Sequence, residues 1–177
     1  MLAAILACLA AVSLSIGTPA QAKTDFSGRW TSDPDPATAP ARGTPGGGRG
    51  DMGSGWGSPI TITQDGAKLT VEYAFFGRGD MQPPLKFLYA LDGSETKNSV
   101  MMGRGMQVQT SRTVWDGAKL RITTLHTLAD PSTGKPMTAE VVQMLSLESP
   151  TSLVVETTRA GVLGGKATTT KTAYRKL

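Results

Sequence analysis

The chain has 177 residues, a formal net charge of +4, one cysteine and one histidine. This length suits a single domain with its own hydrophobic core, and a lone cysteine excludes a fold held by internal disulfides. The positive charge does not indicate a nucleic-acid-binding protein. The aromatic residues fall on the apolar faces of predicted strands instead of alternating with basic residues on an exposed face.

Residues 1–22 have the pattern of a secretory signal peptide. The run from Leu2 to Ile16 is apolar and uncharged, and the Ala-Gln-Ala sequence that follows predicts cleavage after Ala22. The run is shorter than the roughly 18 to 20 residues that a membrane-spanning helix requires, so we expect no membrane span. The remaining chain, residues 23–177, is then predicted to be periplasmic or secreted and to contain no cysteine.

The mature chain is predicted to be one domain with an early irregular insertion. Its first strand begins near Phe26, in the sequence Phe-Ser-Gly-Arg-Trp. Residues 33–58 are then rich in Pro, Gly, Ala and Ser and carry too little apolar surface to order themselves. We therefore predict a disordered loop at 33–58, followed directly by the next strand.

Two Asp-Gly turns predict two β-hairpins. The pentapeptide Asp65–Leu69 recurs as Asp116–Leu120, and each copy separates two runs in which apolar and polar residues alternate. Asp-Gly is a strong hairpin signal because the turn needs the positive φ that glycine adopts freely. One face of each hairpin is apolar and the other is polar, which is typical of an antiparallel sheet with one buried face.

Further short strands follow at regular spacing, and no stretch has sustained helical periodicity. This pattern predicts an all-β domain of about eight to ten strands, either an antiparallel up-and-down barrel or a sandwich. Beyond the two hairpins, the predicted strands are 85–91, which alternates, 138–147, 153–159 and 167–175, with a less regular segment at 98–102.

The Gly28-x-Trp30 motif at the mature N-terminus, followed by a meander of hairpins, resembles the lipocalin-like (calycin) superfamily, and within it bacterial exported lipocalin-like domain proteins. In that superfamily the tryptophan closes one end of the barrel, and an arginine from the closing strand packs over it. The resemblance therefore implies a single antiparallel up-and-down barrel of about eight to ten strands and not a sandwich. It also implies structural roles for Gly28 and Trp30, with Arg159 and Arg175 as the two candidates for the arginine.

A closed barrel of this size can hold one small ligand. We predict that the ligand contacts are the aromatic residues Tyr73, Phe75, Phe87, Tyr89 and Trp115, together with His126. The full predicted lining is apolar and aromatic, which suits a small hydrophobic or amphipathic molecule, and the same residues would make a packed core in a filled barrel. That lining is Ile62, Val71, Tyr73, Phe75, Phe87, Tyr89, Trp115, Ile122 and Leu145.

We expect neither catalysis nor a cofactor. We also expect no metal site built from the usual histidine nitrogen and cysteine sulfur ligands. His126 is the single histidine, and the predicted mature chain has no cysteine to join it as a ligand. A Ser-His triad would need a serine on a strained Gly-x-Ser-x-Gly turn, and the nearest approach to that motif lies in the predicted loop. A hydrogen bond within the barrel or to a ligand is the role expected for His126.

Two alternatives to ligand binding stay open. Met81, Met101, Met102 and Met106 cluster in and around predicted loops, and thioethers bind Cu(I) and Ag(I) in oxidising compartments, so a Met-rich metal-binding protein is one alternative. A structural or interaction module with a filled core is the other. We interpret the repeated Gly-Arg-Gly sequences around Arg49, Arg78 and Arg104 as ordinary glycine-rich loop sequences.

The C-terminal strand concentrates the positive charge. From Arg159 to the end the chain contains five basic residues and no acidic one. This charge predicts either an outward-facing edge that discourages aggregation or contact with an anionic surface. The five residues are Arg159, Lys166, Lys171, Arg175 and Lys176.

Overall fold

The structure, a computed structural model, describes residues 23–32, 56–73, 85–102, 105–129, 133–161 and 165–177. These residues form ten β-strands and no helix. Each strand pairs antiparallel with its neighbours in the order β4-β3-β2-β1-β10-β9-β8-β7-β6-β5. The strands form a nearly closed barrel, which confirms the predicted all-β, up-and-down architecture. The strands are β1 Gly28–Ser32, β2 Ile60–Gln64, β3 Lys68–Tyr73, β4 Leu85–Ala90, β5 Thr96–Met102, β6 Gly105–Asp116, β7 Lys119–Ala129, β8 Pro136–Ser149, β9 Ser152–Arg159 and β10 Thr168–Lys176.

The barrel has two unlike ends. Antiparallel order places the tight connections β2–β3, β4–β5, β6–β7 and β8–β9 at one end, which we call the short-turn end. The other five connections leave from the opposite end, which we call the loop end. Residues 33–55 of the predicted loop lie outside the described residues, whereas its last three residues, 56–58, are folded against the barrel.

Both predicted hairpins are confirmed. In the first, Ile62 pairs with Val71, and in the second, Trp115 pairs with Leu120. The predicted division into two faces also holds, since Ile62 is buried while its neighbours Thr61 and Thr63 are exposed. The alternation of side chains along a strand therefore assigned the inward face correctly.

Aromatic residues close the short-turn end. Trp30 is fully buried, and its Nε1 donates a hydrogen bond to the Phe26 carbonyl oxygen at 3.0 Å. The Phe26 ring stacks on Trp115 with 6.1 Å between ring centroids. Gly28 has a φ of 151°, and a Cβ built there would lie 2.6 Å from Cε of Lys176. The backbone and the space at this position therefore both favour glycine.

Side chains join the two edges of the sheet. β4 and β5 stand at opposite ends of the strand order, and their described residues form no ladder with each other. Instead, Asn98 Oδ1 accepts a hydrogen bond from the Leu88 backbone N–H at 2.7 Å, and Asn98 Nδ2 donates one to the Leu88 carbonyl oxygen at 3.0 Å. Thr113 Oγ1 donates a further bond to the Ala90 carbonyl oxygen. We call this junction the β4–β5 seam.

Replacing Asn98 by Ala is expected to lower the free energy of unfolding by about 2–4 kcal/mol, because both backbone groups of Leu88 lose their partner. Denaturant unfolding measures the loss, and amide exchange at Leu88 should accelerate more than at residues inside the ladders. Ser99→Ala, on the exposed face of the same strand, serves as control and should change stability by less than about 0.5 kcal/mol. Unchanged exchange at Leu88 would contradict this account of the seam.

Candidate functional site

The interior of the barrel changes from apolar to polar along its axis. Close to the short-turn end, β6 to β9 contribute apolar inward residues such as Leu120, Leu145 and Leu153. Closer to the loop end the buried inward residues of β6 to β9 are polar, each at most 8% exposed, although β8 also places the half-buried Val141 and Ala139 on this face. We call this region the polar half, defined by Asn98, Gln109, Ser111, Thr113, Thr124, Gln143 and Thr157, with His126 and Arg159 at its loop-end rim.

Strand register brings these polar side chains side by side. Ser111 lies opposite Thr124, and their hydroxyl oxygens are 2.9 Å apart. Gln143 lies opposite Thr157 on the neighbouring pair of strands. Directly opposed side chains on one face of an antiparallel pair are in contact range, so the polar half contains one such polar pair on β6–β7 and another on β8–β9. Between the two pairs, Thr124 lies opposite Val141 and Gln143 lies opposite Ile122.

The predicted apolar lining is therefore incomplete for this half of the barrel: its described members lie in or against the core, and polar residues face inward beside them. Alternation is a property of the extended backbone and places polar residues inward as readily as apolar ones. Counting back along β6 by twos from Trp115 reaches Thr113, Ser111 and Gln109, and counting forward along β7 from Ile122 reaches Thr124. The signal was present in the sequence, but the predicted lining included only the apolar members.

Thr157 carries a hydroxyl that the described residues leave without a partner. The residue is 0% exposed, and its Oγ1 makes no hydrogen bond within the described part of the chain. A buried polar atom without a partner costs about 1–3 kcal/mol. A threonine here is therefore unfavourable for folding alone and becomes favourable when a hydrogen-bonding group reaches its hydroxyl.

His126 and Arg159 stand at the loop-end rim. His126 lies opposite Ala139 on β8, and Arg159 lies opposite Val141, two residues further along the same strand. Burial, and secondarily the positive charge of Arg159, lower the pKa of His126 below its ordinary value. The imidazole is therefore neutral at pH 7 and above, while the guanidinium stays charged.

The three tyrosines of the chain hold one dipeptide inside the barrel. Tyr89 Oη accepts a hydrogen bond from Trp56 Nε1 at 3.1 Å, and Tyr174 Oη donates one to the Gly57 carbonyl oxygen at 2.9 Å. The Tyr73 ring lies so close to Gly57 that a Cβ there would be 2.6 Å from it. Burial raises the pKa of Tyr89 far above its ordinary value, so it stays neutral. Trp56, only 2% exposed, is thus part of the core.

The predicted ligand contacts do not surround one point. Phe87 and Tyr89 share the inward face of β4, and Tyr73 lies on the adjacent β3. Trp115 instead stacks on Phe26 at the short-turn end, where its Nε1 is buried without a partner among the described residues. His126 lies six residues beyond Leu120, the strand partner of Trp115, which is about 20 Å along a strand. Phe75 lies outside the described residues.

A lysine stands over Trp30. Lys176 lies opposite Trp30 in the ladder, and its Nζ is 5.3 Å from the centroid of the ring. Arg175 is exposed on the outward face, and Arg159 pairs with Thr168, eight residues before Lys176 and about 26 Å away along a strand. Arg159 therefore belongs to the loop end and not to the closed end with Trp30.

A shallow cleft at the short-turn end offers few groups to a ligand. It has a volume of about 320 Å³ and is lined by Lys23, Asp25, Gln64, Asp65, Gly66 and Leu91. The Gln64 side chain bonds to the backbone of Thr24 and Phe26. Hydrogen bonds within their own turns lower the pKa of both aspartates. The polar groups of this cleft thus serve mainly to hold the N-terminal segment in place.

The remaining predicted features lie mostly outside the described residues. Met81, Arg49, Arg78, Arg104 and the side chains of Met101 and Met102 belong there, and Met106 is 62% exposed. Among the described residues, no three His, Cys, Asp or Glu side chains are placed to share a metal ion. In the basic C-terminal strand, Lys171 pairs with Glu148 at 3.1 Å.

Comparisons with known proteins do not indicate a function, so the proposal below is argued from the geometry of the structure. No protein-family model matches the chain, and no curated protein matches it significantly. In the described part of the chain, no helix has the length and apolar character that crossing a bilayer requires.

Trp56→Ala is expected to lower the free energy of unfolding by about 3–5 kcal/mol, because it empties a fully packed aromatic site. Tyr89→Phe should cost less, about 1–3 kcal/mol, since it leaves the indole N–H buried without an acceptor. Denaturant unfolding followed by circular dichroism measures both, with the exposed Val108→Ala as control. A loss below about 1 kcal/mol for Trp56→Ala would contradict its place in the core.

His126 makes stability depend on pH in a predictable direction. Its pKa is lowered in the folded state, so the unfolded chain binds the proton more tightly. The stabilisation is complete above the unfolded pKa of about 6.5 and is lost as pH falls through the folded pKa. Between pH 8 and 5 the unfolding free energy should fall more steeply in the wild type than in His126→Gln. Equal slopes would show that the folded state does not disfavour the imidazolium.

Proposed function

We propose that the protein is an exported, non-catalytic binding protein that holds a small amphipathic molecule in the loop-end half of its barrel. The observation that carries this proposal is the buried polar half, and within it the unpartnered hydroxyl of Thr157. Burying amides and hydroxyls is unfavourable unless they are hydrogen-bonded. A barrel selected only for stability would continue the apolar packing of its other half.

The order of polar and apolar residues along the barrel axis supports an amphipathic guest. The residues that follow the polar half towards the short-turn end are Ile122, Leu145 and Val155, all 0% exposed. A molecule entering from the loop end would therefore meet hydrogen-bonding groups first and an apolar surface next. Binding sites of this kind use a few placed polar groups to orient a mainly apolar contact.

The titratable groups of the polar half favour binding over catalysis. They are one neutral imidazole, His126, and one guanidinium, Arg159. General acid–base catalysis needs a positioned proton donor or acceptor beside the reacting group, and covalent catalysis needs an activated nucleophile. The described interior provides His126 with a guanidinium as its charged neighbour and with no carboxylate or thiol.

A structural or interaction module with a filled core is the second candidate. Its support is the Trp56-Gly57 dipeptide, which the three tyrosines hold inside the barrel. Together with Phe26 and Trp30, this indole fills the apolar half as a packed core would. The two candidates differ in the polar half, which only the binding function uses.

Native mass spectrometry of the mature protein, purified from its exported fraction, tests the proposal. A reproducible extra mass of a few hundred daltons, released on denaturation, is the expected result. Thr157→Val, which replaces the inward hydroxyl by a methyl group, should reduce the occupied fraction, while the neighbouring outward Thr158→Val should not. Bare wild-type protein that takes up no added amphipathic molecule would favour the filled module.

A further inference from the structure

Exposed apolar side chains gather on the outward face of β6 and β7. The described part of the chain leaves five large apolar residues exposed, and four of them belong to these two strands. Single exposed apolar residues are ordinary on a protein surface, whereas several on one face indicate a contact surface. The four are between 42% and 63% exposed, and they are Met106, Val108, Val114 and Leu125.

Strand register extends this surface onto β8. Leu125 on β7 lies opposite Glu140 on β8, and Thr123, the preceding outward residue of β7, lies opposite the half-buried Val142. Directly opposed side chains on one face of an antiparallel pair are in contact range, so these residues form one surface across the strands. We call this surface the outer patch, defined by Val114, Arg121, Thr123, Leu125, Glu140 and Val142.

The outer patch carries one charge of each sign. Arg121 and Glu140 are exposed and form no ion pair with the described residues, whereas the outward Arg112 on β6 pairs with Glu95 at 3.2 Å. Glu140 lies opposite Leu125, four residues along β7 from Arg121, so about 13 Å of strand separates the two charges. The patch therefore has a positive end and a negative end that do not meet within one copy.

We propose that the outer patch is the interface of a two-fold symmetric homodimer, in which Arg121 of each copy pairs with Glu140 of the other. A two-fold interface repeats every contact in both directions, so both charges of both copies gain a partner. The axis crosses the sheet near Val142, in the plane of the interface and roughly perpendicular to the strands. Val142 then packs against its own counterpart, and Leu125 packs against Val114 of the second copy.

The patch complements itself, which is why we infer a second copy and not a different protein. Its charges are balanced and stand at opposite ends, and its apolar residues lie between and beside them, an arrangement similar to the apolar core and polar rim of known interfaces. Three strands give a small surface compared with the roughly 800 Å² per partner of a standard interface. We therefore expect a reversible dimer with a dissociation constant in the micromolar range. The inference does not depend on ligand binding, because the patch lies outside the barrel.

Sedimentation equilibrium of the mature chain tests the dimer. Over about 2–200 μM, a range that spans a micromolar dissociation constant, the measured mass should rise from that of one chain towards twice that value. Leu125→Ser should weaken the association at least about tenfold, because the change removes an apolar contact on both sides of the axis. Leu177→Ser, which alters an exposed apolar residue outside the patch, should leave it unchanged.

Charge reversal tests the assigned contact. Arg121→Glu and Glu140→Arg should each weaken the association at least about tenfold, because each brings like charges together at both symmetric contacts. An equal mixture of the two variants should dimerise again, since every contact between them joins opposite charges. Arg29→Glu, which reverses an exposed arginine on β1, should dimerise as the wild type does. Circular dichroism establishes that each variant has the wild-type fold.

Three outcomes would overturn the inference. A wild-type chain that stays monomeric up to the highest concentration has no such interface, whether the patch is free or binds another protein. A dimer that persists in both charge-reversal variants has its interface elsewhere. A mixture that stays monomeric, although both variants are folded, shows that Arg121 and Glu140 do not meet across the axis. None of these results concerns the barrel interior, so the proposed function is tested separately by the extra mass of a bound molecule.

Discussion

The enclosed interior of this protein depends on how the two free edges of one sheet meet. Every other junction in the barrel is a backbone ladder, but β4 and β5 are joined through side chains. The amide of Asn98 satisfies both the N–H and the carbonyl of Leu88, as a neighbouring strand would. Because exposed edges are costly and prone to foreign pairing, this junction decides whether the ten strands form a barrel or an open sheet.

Once the barrel is closed, its two halves contribute differently to the stability of the fold. The half near the short-turn end contains Phe26, Trp30 and Leu120, each fully buried, and supplies the hydrophobic stabilisation of the fold. The polar half gains little from burial, since its amides and hydroxyls exchange water for one another at a small net benefit. Hydrophobic stabilisation is thus concentrated towards one end of the barrel axis, and the buried polar side chains lie towards the other.

The placement of Trp56 shows how tertiary contacts override local composition. The residue ends a stretch in which Gly, Pro and Ser predict disorder, yet its indole is buried and hydrogen-bonded to Tyr89. The contact cannot be deduced from the segment itself, because the partner lies 33 residues away on β4. One large aromatic side chain can order the end of a loop when it fills a buried position in the core and its polar group finds a hydrogen-bond partner.

The sequence alone determined the all-β class, the two Asp-Gly hairpins and the inward face of most strands. These follow from local rules, namely the turn geometry that Gly allows and the two-residue period of an extended chain. The same period places Gln109, Thr124 and Thr157 inward, although the predicted lining named only apolar and aromatic residues. The sequence therefore indicated which residues face inward, but it did not indicate that the polar ones among them form a candidate site.

Only the tertiary structure decided which of these residues meet. Register between distant strands set Ser111 against Thr124 and separated His126 from Trp115, and the closure of the sheet required a side chain, Asn98, that carries no local signal. Strand register also placed Lys176 against Trp30 and Arg159 at the opposite end of the barrel. The reason is physical: alternation fixes the face of a residue from its own strand, whereas its neighbours depend on pairings between segments far apart in the chain.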